Sequence, residues 1–260
     1  MEVMPLLIGT SGWQYRHWRE TFYPRGVAQN KWLEFYADRF DTVESNAAFY
    51  RLPEDTTFAA WAERTPAPFV MAVKASRYLT HILRLTEPEE PVKRLIDRAS
   101  ELGDKLGPIL VQLPPSLRIE LDRLRRTLDA FPAGVRVAVE FRHKSWFTDD
   151  VQRELTERGV ALCLADRRGP ITPIWRTADW TYLRFHVGRS TPRPCYGEDA
   201  LETWIGRLTE QWAVDEDAYV YFNNDHRACA LRDAIVFARL GSRAGMKPTR
   251  VPDRSEVRLG

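Results

Sequence analysis

Eight short runs of strand character, most of them followed by a stretch with a helical apolar stripe, recur from Leu6 to Leu240. No other feature constrains the fold so tightly. The strand runs are Leu6–Thr10, Thr42–Asn46, Phe69–Ser76, Ile109–Leu113, Arg136–Arg142, Ala161–Asp166, Trp180–Val187 and Ala218–Asn223. Helices are expected over 30–39, 55–64, 88–106, 120–131, 148–158, 198–212 and 227–240, with caps such as Thr148 and stops such as Gly159. The crossover over 167–179 holds Pro170 and Pro173 and little helical pattern, so it is expected to be irregular. Strands that alternate with helices pair in parallel, because each return needs a crossover. Eight such units are the count of a closed barrel. The fold class predicted is therefore α/β, a TIM-type (β/α)8 barrel, as a single domain over residues 1–246. An open doubly wound sheet is the competitor, but no Gly-x-Gly-x-x-Gly follows the first strand. The polar, aperiodic stretch 247–260 is expected to be a flexible tail.

Composition narrows the class further. A chain of 260 residues with 44% hydrophobic content can bury a sizeable core. No stretch approaches the roughly 18 consecutive apolar residues a membrane span needs, so no membrane partner is expected. The first residues lack a basic flank followed by a long apolar run, so no signal peptide is expected either. Cys163, Cys195 and Cys229 lie far apart with no Cys-x-x-Cys pair. That spacing argues against a disulfide framework and a thiolate zinc site, and it suggests a cytoplasmic setting. The net charge of +2 is too small to imply nucleic acid by itself.

Strand phase selects the candidate site. In RVAVEFRHKSW (residues 136–146) Val137, Val139 and Phe141 alternate with Ala138, Glu140 and Arg142. The same split pairs Glu44 with Asn46, Lys74 with Ser76, Tyr182 with Arg184 and His186, and Tyr219 and Tyr221 with Asn223. The apolar phase must meet the helices. The polar phase then points into the barrel at the carboxyl ends of the strands, where barrel enzymes keep their chemistry. Gln112 and Asp166 end two further strands, and His81, His143, His186 and His226 follow strand ends. Structural ion pairing is the competing account for each charge taken singly, but burying Glu44, Lys74, Glu140, Arg184 and His186 together without a use is costly. His17 is read as a surface or loop residue, Arg123–Arg126 as a solvated helix face and Cys163 as core. Trp13 and Trp146 stand beside strand ends, where stacking on a ligand and plain packing are equally open.

The segments GTSGWQYRHW, ESNAAFYRLP, KASRYLTH, LGPILVQLPP, VEFRHKSW, YLRFHVGR and YVYFNND resemble the marker segments of the YecE-like family, domain of unknown function 72. The resemblance runs in order over nearly the whole chain and implies a TIM-type barrel. It implies no reaction. One departure is visible: family members often read His-Gly after the seventh strand, and here Val187 separates His186 from Gly188.

Three functions follow from the candidate residues. The first is an enzyme for a small anionic ligand or a nucleic-acid end. Lys74, Arg142 and Arg184 would bind the anion, Glu140 or Glu44 would be the base and His186 or His81 the acid. Asn46, Gln112, Asn223, Tyr182, Trp13 and Trp146 would orient and stack the substrate. The second adds a divalent metal on some of Glu44, His81, Glu140, Asp166, His186 and Asp225, for phosphodiester hydrolysis. The nearby cations Lys74, Arg142 and Arg184 weigh against it. The third is a non-catalytic module that binds protein or nucleic acid through a patch such as Arg77, Arg84, Arg142 and Arg189.

Overall fold

The computed structural model describes residues 4–167 and 172–258. Its strands are β1 (Pro5–Thr10), β2 (Thr42–Ser45), β3 (Val70–Lys74), β4 (Leu106–Gln112), β5 (Val137–Glu140), β6 (Ala161–Asp166), β7 (Thr181–Phe185), β8 (Ala218–Phe222) and the two-residue β9 (Lys247–Pro248). They form one parallel sheet in the order β2-β3-β4-β5-β6-β7-β8-β1-β9. The helices are α1 (Trp32–Ala37), α2 (Ala47–Tyr50), α3 (Asp55–Glu63), α4 (Glu89–Ala99), α5 (Leu121–Asp129), α6 (Asp149–Glu157), α7 (Glu198–Gln211) and α8 (Cys229–Arg243). The α/β barrel expected from the strand count is the fold observed. Thr148 caps α6 by accepting the Val151 N–H, and Gly159 ends it with φ +61°. Part of the irregular crossover, residues 168–171, lies outside the described residues. Among those described, no helix is long and apolar enough to cross a membrane.

The sheet curls until β1 meets β2, and side chains close that seam in place of a ladder. A Cβ on Gly9 would sit 2.4 Å from the Thr42 carbonyl oxygen, so only glycine lets the two backbones approach. The buried Tyr36 hydroxyl accepts from Thr10 N and Oγ1, each at 3.0 Å, and donates to Thr42 O at 3.0 Å. Tyr36→Phe leaves a backbone N–H and a carbonyl unpaired at the seam. The expected cost is about 2 kcal/mol in urea unfolding, and a loss below about 0.5 kcal/mol would show that the seam closes without it.

Strand alternation separates two apolar layers. Val137, Val139, Phe141, Leu183, Phe185, Val220 and Phe222 join the large core between sheet and helices. Ala72, Leu110, Ala138, Ala161, Cys163, Tyr182, Tyr219 and Tyr221 fill the barrel interior. Small residues on β3, β5 and β6 leave room there for the tyrosines of β7 and β8, and the charged layer sits above this plug.

Two expectations need correction. The stretch 247–260 is held against the barrel as far as it is described. Lys247 N donates to Met4 O at 2.8 Å, Thr249 N donates to Leu6 O at 2.8 Å, and Arg250 pairs with Asp41 at 2.7 Å. A capping box on Asp253 and Glu256 and the buried Val257 complete the attachment. Polarity concealed this because backbone groups and ion pairs hold the segment. The second correction is a disulfide between Cys195 and Cys229, 34 residues apart, with Cα atoms at 4.8 Å. Cys195 lies in the loop before α7 and Cys229 opens α8. Loops of adjacent barrel units meet in space, which linear spacing does not show. The cysteine pattern therefore carries no inference about compartment.

Candidate functional site

The carboxyl ends of β1, β2, β3, β4, β5, β7 and β8 surround a hollow of about 390 Å³. Its lining includes Ser11, Gly12, Trp13, Gln14, Tyr15, Ser45, Asn46, Ala47, Tyr50, Lys74, Gln112, Arg142, Arg184 and Asn223. A second hollow of about 420 Å³ lies among Thr21, Phe22, Arg25, Arg39 and Arg258. No buried charge lines that one, so the mouth of the barrel is the candidate site.

Arg184 on β7 organises the floor. Its Nη1 donates to Glu140 Oε2 at 2.5 Å and its Nη2 to Glu44 Oε1 at 2.8 Å. All three groups are buried to 1% exposure or less. Glu140 also accepts from Gln112 Nε2 and Arg142 Nε, both at 2.8 Å, and Glu44 accepts from the Tyr182 hydroxyl at 2.7 Å. Burial would raise the Glu140 carboxyl, but Arg184 foremost, with Arg142 and Gln112, holds it well below the usual carboxylate range. Burial drives the Tyr182 hydroxyl well above the usual phenol range, and Glu44 adds to the effect, so it stays a donor. Glu44 and Glu140, anticipated as bases, each accept hydrogen bonds at both carboxylate oxygens within this network.

His186 is also recast. Asn223 Nδ2 donates to His186 Nδ1 at 2.9 Å, which places the ring proton on Nε2. That nitrogen stands 3.7 Å from Glu140 Oε1 and makes no hydrogen bond among the described residues. Burial first, then Arg184 and Arg142, depress the imidazole to about 3, which favours its neutral form at physiological pH. His81 lies at the edge of the rim, with Nδ1 2.8 Å from Thr80 Oγ1 and its ring edge-on to Phe49. Its imidazole is also lowered, by burial and then by Lys74 and Arg142.

Lys74 is the exception in this network. It is 7% exposed, and its Nζ makes no hydrogen bond or ion pair among the described residues. The ammonium stands 3.8 Å from the centre of the Phe49 ring instead. Burial, with Arg184 as the next cause, lowers it to about 8 against the pull of Glu44 and Glu140. Arg142 is half-buried, lines the hollow and donates Nε to Glu140, and its Nη atoms make no hydrogen bond among the described residues. Asn46 donates to Ser11 O at 3.0 Å and keeps its side-chain oxygen available.

Of the other expected site residues, Trp13 borders the hollow and Trp146, Tyr182, Asp166 and Asp225 do not. Trp146 is fully buried, stacks on Phe141 at 4.8 Å and donates Nε1 to Leu117 O, so it is packing. Trp13 lines the hollow while packing edge-on to Trp61 at 5.4 Å. Tyr182 lies beneath Glu44 and does not line the hollow. Asp166 shares its phase with Leu162 and Leu164 and accepts from Trp204 Nε1 at 2.8 Å, outside the barrel. Asp225 accepts from Trp18 Nε1 at 2.6 Å and pairs with the half-exposed His17, also at 2.6 Å. No three imidazole, thiolate or carboxylate groups among the described residues stand close enough to hold a metal. The proposed set Glu44, Glu140, Asp166 and His186 does not fit one. Arg184 lies between the two glutamates, and Asp166 faces outward. Strand phase missed Phe49, Tyr50, Gln14 and Tyr15, because they belong to α2 and to the loop after β1. The segments ESNAAFYRLP and GTSGWQYRHW that flank β2 and β1 were the signal that held them.

The family model described as "Protein of unknown function DUF72" matches residues 7–256. The chain belongs to the DUF72 family. UPF0759 protein YecE of Escherichia coli K12 is 29% identical over 169 residues, 63% of this chain. The match spans 60% of the length of that YecE protein. UPF0759 protein YunF of Bacillus subtilis is 25% identical over 85% of this chain and 89% of its own. A DUF72 crystal structure from Thermotoga maritima superposes with a TM-score of 0.79 at 25% identity, covering 91% of this chain and 99% of the other. A second, from Enterococcus faecalis, gives 0.75 at 18% identity over 90% and 94%, a likeness of fold alone. This DUF72 chain thus has the barrel of its family.

Proposed function

We propose that this DUF72 protein is an enzyme that holds a small carboxylate- or phosphate-bearing molecule in the barrel mouth and moves protons on it. One observation carries the reading: Lys74 and Arg142 border the same hollow, and among the described residues the Lys74 ammonium and the Arg142 Nη atoms have no hydrogen-bond partner. Among the described residues, the two carboxylates Glu44 and Glu140 share the site with at least three cations, Lys74, Arg142 and Arg184, so positive charge is in excess there. A buried excess charge is costly unless a ligand completes it. Arg142 presents a fork for a planar or tetrahedral anion. Asn46, Gln112 and Asn223 border the same space with amides that orient the remainder. Lys74 is the group whose proton is exchangeable near neutrality, and the arginine–glutamate floor keeps its charges fixed beneath it.

Arg142→Gln removes the fork and leaves Glu140 with its bonds to Arg184 and Gln112. Affinity for inorganic phosphate or pyruvate, measured by calorimetry, is expected to fall by roughly tenfold or more. Unchanged affinity would defeat the reading. A hollow that takes one small anion also predicts a shallow dependence on salt. A logarithmic slope steeper than about −3 for an oligonucleotide, with no phosphate or pyruvate binding, would favour a nucleic-acid surface instead.

A further inference from the structure

We propose that Lys74 is a covalent nucleophile that forms an imine with a small carbonyl compound carrying an anionic group, of the α-keto acid or keto-phosphate kind. The inference rests on the anion-binding reading above and adds the reacting bond.

The surroundings of Nζ favour a nucleophile over a simple clamp. An ammonium that serves only as a clamp is normally tied to a carboxylate. Here both nearby carboxylates are occupied: Glu44 by Arg184 and Tyr182, Glu140 by Arg184, Gln112 and Arg142. Lys74 is left on the face of Phe49, nine-tenths buried, at the wall of the hollow. Desolvation and cationic neighbours are the two devices that free a lysine lone pair for attack on a carbonyl, and Arg184 and Arg142 supply the second. Roughly a tenth of the amine is then neutral at pH 7, against less than about a thousandth for an ordinary lysine.

The chemistry closes without an added oxidant or reductant. The neutral Nζ attacks the carbonyl carbon, a C–N bond forms, and the carbonyl π pair moves to oxygen. One nitrogen proton passes to that oxygen through water, giving the carbinolamine. A proton from solvent then lets the C–O bond break, and the oxygen leaves as water. The iminium that remains keeps one N–H and a positive charge, which faces the fixed negative charges of Glu44 and Glu140. The anionic end of the substrate lies on the Nη atoms of Arg142.

Reductive trapping tests this. Intact protein is incubated with sodium cyanoborohydride and either pyruvate or dihydroxyacetone phosphate, and the adducts are mapped by peptide mass spectrometry. The chain has six lysines, of which Lys31, Lys93, Lys144 and Lys247 are exposed. With one or both probes the adduct is expected at Lys74, forming roughly tenfold or more faster than at any other lysine and levelling off above about pH 8. Lys74→Met, with a wild-type circular dichroism spectrum, is expected to lose that adduct alone. Adducts confined to the exposed lysines with both probes overturn the inference. Calorimetry on unmodified protein separates the two failures. Probe binding without trapping at Lys74 overturns the imine and leaves the anion site standing, whereas no binding of either probe ends both.

Discussion

Arg184→Met is expected to lower the free energy of unfolding by about 4 kcal/mol at pH 7, the largest single loss in the barrel mouth. Methionine preserves most of the volume and removes the charge. Glu44 and Glu140, both at 0% exposure, then face each other with no cation between them. Tyr182, Gln112 and Arg142 still donate to them, but breaking a buried ion network by taking out one partner leaves uncompensated charge in a low-dielectric site. The deficit has a direction in pH. Unpaired buried glutamates take up protons in the folded variant more readily than in its unfolded chain. The loss should therefore shrink as pH falls toward the ordinary glutamate value of about 4.3, and grow as pH rises above it. Urea unfolding at pH 4.5 and pH 7 measures this. A loss below about 1 kcal/mol at pH 7 would mean that the network contributes specificity and little stability.

Lys74→Met is expected to act in the opposite sense and to stabilise the ligand-free protein. The folded-state lysine is lowered from 10.5 to about 8. Below pH 8 both states carry the proton, and the full penalty of a buried ammonium falls on the folded state. Between pH 8 and 10.5 the folded chain has released the proton and the unfolded chain still binds it, so stability rises with pH. Above that window both are neutral and the penalty is gone. The shift corresponds to about 3 kcal/mol. Loss of the contact with Phe49 returns about 1 kcal/mol, so the net gain expected at pH 7 is about 2 kcal/mol. The gain should vanish toward pH 10.5, and equal pH slopes for parent and variant would refute the picture of an unpaired, desolvated amine. A residue that costs stability in the free protein and titrates near neutrality matches the usual balance between stability and function at a site.

The two variants separate roles that strand phase alone assigned together. Period-two alternation placed Glu44, Lys74, Glu140, Arg184 and Asn223 on the inner face, and each points there. The same rule, applied to ALCLAD, would have turned Asp166 outward with Leu162 and Leu164, since residues two apart share a face. Trp146 follows a polar strand end, a position that leaves ligand stacking and plain packing equally open from sequence. A 3-10 turn over Lys144–Trp146 swings it under Phe141. The loops were the least legible part. Phe49 and Tyr50 reach the rim on a single helical turn, and Cys195 meets Cys229 because units seven and eight adjoin.

The linear chain by itself determined the barrel, its inner and outer faces and the height at which charge collects, because those depend on periodicities of two and 3.6 and on the crossovers that parallel strands require. Only the tertiary structure decided which of those charges satisfy one another. Hydrogen bonding among Arg184, Glu44 and Glu140 depends on angstrom distances between strands up to 140 residues apart. That pairing is what leaves Lys74 without a hydrogen-bond partner among the described residues at the wall of the hollow.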